Sequence, residues 1–220
     1  DNKRKACELE SMGQKGSVTL KKKHVKELMV QTHFGADEIE ALYAHFKSIA
    51  SSQTDDGQID RNEFREAMML QDSLFSDRLF QLFDENDDGY INFEEFICGL
   101  SILCVRGTLE EKMLFSFRIY DFDNDNKISN EELTSMLRTT LNENGVVMTP
   151  AQIELIIRAT FEEADLNRDG FIDFEEYKRI VGTHPSILSN MTLDFARVIE
   201  NRLEQAKAQQ TSRRSTKVPK

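Results

Sequence analysis

Three twelve-residue stretches of this chain place oxygen-bearing side chains at the same offsets, and this repeat constrains the fold more than any other feature. The stretches are DENDDGYINFEE at residues 84–95, DFDNDNKISNEE at residues 121–132 and DLNRDGFIDFEE at residues 165–176. Each has Asp at positions 1 and 5, Asp or Asn at position 3, an oxygen-bearing side chain at position 9 and Glu at position 12. Because Ile also recurs at position 8, three chance acidic turns do not explain the pattern.

The repeated oxygens suit a hard divalent cation. Ca²⁺ takes roughly 6–8 oxygen ligands at about 2.3–2.6 Å, and a tight loop supplies them from side chains at positions 1, 3, 5 and 9, the carbonyl at position 7 and both oxygens of Glu at position 12. Ser129, at position 9 of the second stretch, is short and is expected to act through a water molecule. The predicted ligands are Asp84, Asn86, Asp88, Tyr90, Asn92 and Glu95; Asp121, Asp123, Asp125, Lys127, Ser129 and Glu132; and Asp165, Asn167, Asp169, Phe171, Asp173 and Glu176, with Tyr90, Lys127 and Phe171 contributing only their carbonyls.

The backbone rule of such loops is also obeyed. Position 6 needs a positive φ, which glycine adopts at no steric cost. Gly89 and Gly170 occupy it in two stretches, and Asn126, which enters the left-handed region more readily than other side chains, occupies it in the remaining one.

The pattern is that of the EF-hand, in which a calcium loop joins two helices. It predicts an all-α fold of two EF-hand pairs, with a short paired strand around position 8 of each loop, plus a C-terminal amphipathic helix. Because the hands pair, three loops require a fourth, and residues 50–63 supply it in altered form. Asp56, Asp60 and Glu63 are its candidate ligands, but position 1 would be Ser52, so this fourth site is expected to bind Ca²⁺ weakly or not at all.

Helix signals divide the chain into four parts. Residues 1–36 are expected to form an N-terminal arm, 37–104 the first pair, 105–183 the second pair and 184–220 a C-terminal helix and basic tail. Capping boxes at residues 108–111 and 149–152 predict helix starts, and apolar residues at helical spacing predict the extra helix over 193–208.

Composition limits the class of partner. The net charge is −11, and because much of it belongs to the predicted ligands, it favours metal and argues against nucleic-acid binding. Three cysteines without metal spacing favour a reducing, cytoplasmic location. No apolar run is long enough for a transmembrane helix, while peripheral membrane association and N-terminal lipidation stay open.

Three further stretches resemble the calcineurin B-like branch of the EF-hand superfamily, over about residues 37–200. They are the unusual first loop at residues 50–57, the helix FSFRIYD at residues 115–121, and HPSIL with NMTL at residues 184–193. The C-terminal Phe-Pro-Ser-Phe motif of the plant members is missing. The stretch GTLEEKM at residues 107–113 is also similar to the calaxin-like axonemal EF-hand proteins.

This resemblance implies a calcium sensor that binds and regulates a kinase or phosphatase catalytic subunit. Ca²⁺ would open an apolar groove for a target helix. The side chains expected to line this groove, or else to form an ordinary core, are Phe64, Met68, Leu79, Phe80, Phe83, Phe96, Ile97, Leu100, Met113, Phe117, Leu133, Met136 and Leu137.

Two other functions stay open at this point: a structural or regulatory component of a ciliary axoneme, with a corresponding location there, and a plain calcium buffer. An enzyme is not expected, because the four histidines are scattered and no nucleophile–base constellation is recognisable.

Overall fold

The protein is a chain of short helices joined by tight loops. The computed structural model describes residues 20–51, 57–104 and 106–184. The helices are α1 Lys22–Gln31, α2 Ala36–Ile49, α3 Arg61–Met68, α4 Leu74–Phe83, α5 Phe93–Leu103, α6 Leu109–Tyr120, α7 Asn130–Glu143, α8 Pro150–Ala164 and α9 Phe174–Thr183. Two short strands, β1 Lys127–Ile128 and β2 Ile172–Asp173, complete the described elements. Because helices predominate among the described residues, the predicted all-α class is confirmed. The helix predicted over 193–208 lies outside the described residues.

Side chains at the helix starts explain where the helices of the second pair begin. Thr108 accepts a hydrogen bond from the backbone N–H of Glu111 at the start of α6. Thr149 does the same for Gln152 at the start of α8, and Pro150 occupies the first turn, where its missing N–H costs nothing. Both capping boxes predicted from the sequence are therefore confirmed.

The loops pair two by two through the residue at position 8. In the second pair, β1 and β2 are antiparallel and Ile128 lies opposite Ile172. In the first pair, Ile59 and Ile91 exchange both backbone hydrogen bonds at 2.9 Å, forming an isolated bridge. The altered first loop is thus a structural partner of the second, as the pairing rule requires.

The larger hydrophobic core lies in the first pair but does not end there. Phe83 packs between Phe64, with ring centroids 5.0 Å apart, and Phe115, with centroids 6.4 Å apart. Phe115 and Ile119 of α6 and Met136 of α7 belong to this core although they come from the second pair. The domain boundary at residue 104 stays a prediction. The hydrophobic core is continuous across that point, because it contains residues from both pairs.

The side chains proposed for a groove lie at different depths. Those of the first pair are buried, among them Phe64, Phe80 and Ile97, and so they form core in this structure. In the second pair, Met113 and Leu133 are only partly buried and pack against a smaller cluster around Phe117.

Helix α1 was not predicted from the sequence and falls within the range assigned to an arm. Val25 and Leu28, three residues apart, are its buried side chains, and they join Phe34 in the larger core. The preceding lysines hide this short amphipathic pattern, since only one narrow face is apolar.

We expect Gly99→Ala to destabilise the protein. A Cβ at Gly99 would lie 2.5 Å from Cε1 of Phe83, a buried ring that cannot move away freely. Overpacking of this kind costs about 1–3 kcal/mol. Thermal unfolding should therefore begin at a lower temperature, by about 2–4 °C for each kcal/mol.

Gly182→Ala is the matched control. Gly182 also lies in a helix, but no atom lies within 4 Å of a Cβ built there. Alanine should stabilise this position by about 0.5–1 kcal/mol, because it loses less conformational freedom than glycine on folding. Equal effects of the two variants would contradict the close approach of Phe83 to α5.

Candidate metal centres

Each of the three predicted loops begins and ends on a helix. Asp84, Asp121 and Asp165, the residues at position 1, cap the C-terminal ends of α4, α6 and α8. The residues at position 9 are the N-caps of the exiting helices: Asn92 for α5, Ser129 for α7 and Asp173 for α9. A ligand at position 12 therefore sits in the first turn of the exiting helix, so its movement is coupled to that helix.

The carboxylate at position 1 folds the loop around itself. In all three loops one of its oxygens accepts a hydrogen bond from the backbone N–H of position 6. The bonds run from Gly89 to Asp84 at 2.9 Å, from Asn126 to Asp121 at 3.1 Å and from Gly170 to Asp165 at 3.0 Å.

The backbone at position 6 has the conformation predicted for it. Its φ is +85° at Gly89, +67° at Asn126 and +86° at Gly170. Asn126 therefore confirms that asparagine can replace glycine here. The structure adds a second left-handed residue at position 4, namely Asp87, Asn124 and Arg168, which the sequence did not indicate.

The side chains at positions 3 and 5 close small turns inside each loop. The oxygen at position 3 accepts from the N–H of position 5, and the oxygen at position 5 accepts from the N–H of position 7. The acceptors are Asn86, Asp123 and Asn167 at position 3 and Asp88, Asp125 and Asp169 at position 5, with distances from 2.7 to 3.1 Å.

The glutamate at position 12 closes the loop with both oxygens. Glu132 Oε1 accepts from the N–H of Phe122 at 2.7 Å, and Oε2 accepts from the N–H of Ser129 at 2.8 Å. Glu176 makes the corresponding pair with the N–H groups of Leu166 and Asp173. Glu95 accepts from the N–H of Asn86, at position 3, and from that of Asn92. The carboxylate is thus held over the loop between its start and the exiting helix.

Loop three, residues 121–132, tests whether these residues fit a cation. Oxygens of Asp121, Asp123 and Glu132 all lie within 4.8 Å of one another. Among the described residues, Asp121 Oδ1 is the one buried side-chain polar atom without a hydrogen-bond partner. Burial raises the pKa of Asp121, and the nearby Glu132 and Asp125 raise it further. An unpartnered oxygen in a cluster of like charges fits a bound cation.

Loop two, residues 84–95, shows the same electrostatics. Asp84 and Glu95 are buried, and burial raises the pKa of Glu95, with smaller contributions from Asp84 and Asp88 in the same direction. These residues and those of loop four, residues 165–176, would hold Ca²⁺ in the roles predicted above. The assignment of each residue as a ligand stays a prediction.

A lysine connects loops three and four. The Nζ of Lys127 lies 3.0 Å from Oδ2 of Asp169 and 4.8 Å from the centroid of the Phe171 ring. Asp169 is a predicted ligand, so its charge is shared between this ammonium group and any ion in loop four. The sequence did not reveal the contact, because it depends on the strand register that places Lys127 opposite Asp173.

We expect Lys127→Gln to raise the Ca²⁺ affinity of loop four, by no more than about fivefold because the ion pair is exposed to solvent. The backbone carbonyl of residue 127 is kept. Calorimetric titration of a protein carrying Glu95→Gln and Glu132→Gln would isolate loop four. Lys178→Gln is the control, because it removes the same charge from a lysine that pairs with Glu175, which is not a predicted ligand. It should leave the Ca²⁺ affinity of loop four unchanged.

The altered first loop, residues 50–63, is described except for residues 52–56. Gly57 has φ +80°, and Asp60 caps α3 by accepting from the N–H of Asn62 and of Glu63. Glu63 is buried and its Oε2 accepts from the N–H of Asp60 at 3.0 Å, as in the other loops. Asp56 lies outside the described residues, so the occupancy of this loop stays a prediction.

No helix among residues 20–51, 57–104 and 106–184 is long and apolar enough to cross a membrane.

Comparison with known proteins agrees with this geometry. A family model for an EF-hand domain pair matches residues 40–101 and again residues 110–182. Calcineurin B of Schizosaccharomyces pombe is 39% identical over 169 residues, which cover 77% of this chain and 94% of the relative. Calcineurin B-like protein 5 of Arabidopsis thaliana is 35% identical over 175 residues, covering 78% and 86%. Calcineurin B of Naegleria gruberi is 34% identical over 175 residues, covering 80% and 96%.

Proposed function

This chain belongs to the calcineurin B family of EF-hand proteins, and from that membership we propose that it is a Ca²⁺-dependent regulatory subunit for a phosphatase or kinase catalytic partner. The observation that carries the proposal is the double attachment of each glutamate at position 12. Its carboxylate closes the loop, while its backbone belongs to the first turn of the exiting helix.

We assign one Ca²⁺ to each of loops two, three and four. Bound Ca²⁺ supplies a doubly charged centre that neutralises the clustered carboxylates. Glu132 would then exchange its bonds to the N–H groups of Phe122 and Ser129 for contact with the ion. Because Glu132 is fixed in α7, a shift of its carboxylate requires a shift of the start of that helix.

The second pair is the better candidate for binding a target helix. Met113, Leu133 and Leu137 are partly buried there, whereas the corresponding side chains of the first pair are buried in the larger core. Partly buried methionine and leucine can be exposed at low cost, and methionine adapts to different partners. An amphipathic helix of the catalytic partner would lie against these residues.

The test is binding of the full chain to a phosphatase catalytic chain of the calcineurin type, measured in Ca²⁺ and in chelator. We expect binding in Ca²⁺ and a strong loss in chelator. Leu137→Asp should weaken binding, whereas Leu155→Asp, at an exposed position on α8, is the matched control. Equal binding with and without Ca²⁺ would contradict the proposed regulation and favour a structural role.

A second measurement distinguishes a calcium sensor from a plain calcium buffer. A buffer hand barely opens when Ca²⁺ binds, so an apolar fluorescent dye should gain no signal. A sensor should gain signal on Ca²⁺ addition and lose it in chelator. The axonemal alternative has no support from the names of the three relatives described above.

A further inference from the structure

A buried arginine of the first pair reaches into loop three of the second pair. Arg78 lies on α4 and is only 4% exposed. Its Nε donates to the carbonyl of Arg118 at 2.9 Å, and its Nη2 donates to the carbonyl of Asp121 and, at 2.7 Å, to Oδ1 of Asn124. The guanidinium group thus holds the point where α6 ends and loop three begins.

The chemistry of that point explains why an arginine is buried there. The last carbonyls of a helix lack partners within the helix and carry a partial negative charge. The carbonyl of Arg118 is one of them, and Arg78 satisfies it. Burial lowers the pKa of Arg78, while the carboxylates of Asp121, Glu132 and Asp123 raise it again.

The same arginine is fixed to loop two through its helix. Helix α4 ends at Phe83, and the next residue is Asp84, the predicted ligand at position 1 of loop two. Six residues of α-helix span about 9 Å, so Arg78 and Asp84 move together as parts of one short rigid segment. Arg78 consequently joins the starts of two loops that belong to different pairs.

We propose that Arg78 is a positioning residue that couples Ca²⁺ binding in loop two to Ca²⁺ binding in loop three. The inference rests on the proposed Ca²⁺ sites in these loops. Filling loop three orders Asp121 and Asn124, which orients the guanidinium group, and this in turn holds α4 and the start of loop two. By reciprocity, an ion in loop two favours binding in loop three to the same extent.

Two other polar contacts between the pairs lie away from the metal loops. Arg106 forms an ion pair with Glu38 at 2.8 Å, and His33 lies 3.0 Å from Glu111. These contacts join α2 and the segment before it to the region around the start of α6. They therefore provide controls that weaken the contact between the pairs without touching a metal loop.

The experiment follows loop two by luminescence of Tb³⁺, a trivalent oxygen-seeking ion used in place of Ca²⁺. Tyr90 occupies position 7 of loop two, whereas position 7 is Lys127 in loop three and Phe171 in loop four. Light absorbed by a tyrosine beside the ion excites Tb³⁺, and Tyr120 and Tyr177 flank loops three and four. The part of the signal that is lost in Tyr90→Phe, at an exposed position, therefore reports occupancy of loop two.

The measurement is a double-mutant cycle. Glu132→Gln disables loop three, and we expect it to weaken Tb³⁺ binding in loop two at least about fivefold, the lower end of typical coupling between sites. In a protein carrying Arg78→Gln, the further change Glu132→Gln should have no such effect. Arg61→Gln, which removes an arginine paired with Asp77 inside the first pair, and Arg106→Gln should both keep the fivefold dependence.

Arg78→Gln leaves buried carbonyls without a donor and could prevent folding, so a second variant is included. Asn124 is exposed and has φ +60°, a conformation that glycine adopts easily. Asn124→Gly removes one contact of Arg78 and should reduce the dependence on Glu132 without unfolding the protein.

The outcomes separate the two proposals. Undiminished dependence on Glu132 in both the Arg78 and the Asn124 variants would overturn the role of Arg78. If loop two of the parent protein binds Tb³⁺ and Glu132→Gln does not change its affinity, the proposed coupling is wrong. Failure of the parent protein to bind Tb³⁺ in loop two would instead contradict the proposed Ca²⁺ site.

Discussion

Removing Ca²⁺ with a chelator should lower the midpoint temperature of thermal unfolding by roughly 15 to 30 °C. A ligand present at a hundred times its dissociation constant stabilises the folded state by about 2.7 kcal/mol per site, so three sites contribute about 8 kcal/mol. A chain of this size loses about 2–4 °C for each kcal/mol. Scanning calorimetry with and without Ca²⁺ at fixed ionic strength measures the shift.

A variant that lacks the glutamates at position 12 is the control for that measurement. A variant carrying Glu95→Gln, Glu132→Gln and Glu176→Gln keeps the side-chain carbonyl oxygens but loses three carboxylates, and its unfolding should be nearly indifferent to Ca²⁺. A shift below about 5 °C in the parent protein would mean that at most one loop binds with useful affinity.

Glu132→Gln should abolish one Ca²⁺ site, with a loss of affinity in loop three of roughly a hundredfold or more. Ligand charge and loop rigidity move the affinity of EF-hands over several orders of magnitude, and this change removes a bidentate carboxylate. Asp121 and Asp123 would remain, but the loop would lack its closing ligand from α7. Isothermal titration should count one site fewer.

Glu131→Gln is the matched control, since it removes the same charge one residue earlier, at an exposed position. The number of sites should not change in this variant. If Glu132→Gln left the heat and stoichiometry of Ca²⁺ uptake intact, the assignment of position 12 as a ligand would be wrong.

The sequence predicts the loops well because their geometry is local. Within twelve residues, a ligand at one offset and a turn residue at another determine nearly every hydrogen bond, as Gly89 and Asp84 illustrate. Asn126 was predictable for the same reason. The capping threonines, Thr108 and Thr149, are local signals as well.

Contacts between distant segments are what the sequence could not reveal. Phe115 and Met136 join the core of the first pair only because α6 and α7 pack against α4. The contact of Lys127 with Asp169 depends on strand register. Arg78 stands beside Asp77 in the mixed stretch LFSDRLFQLF, where nothing local marks it as buried, because its backbone acceptors lie about forty residues further along the chain.

The dual use of positions 9 and 12 has a spectroscopic consequence. The side chains at positions 9 and 12 already cap the starts of α5, α7 and α9, so ion binding should add little helix. The capping pairs are Asn92 with Glu95, Ser129 with Glu132 and Asp173 with Glu176. The far-ultraviolet circular dichroism of the folded protein should hardly change when Ca²⁺ arrives. The response would consist of altered angles between existing helices, so probes of distance or side-chain environment will detect it where measures of helix content will not.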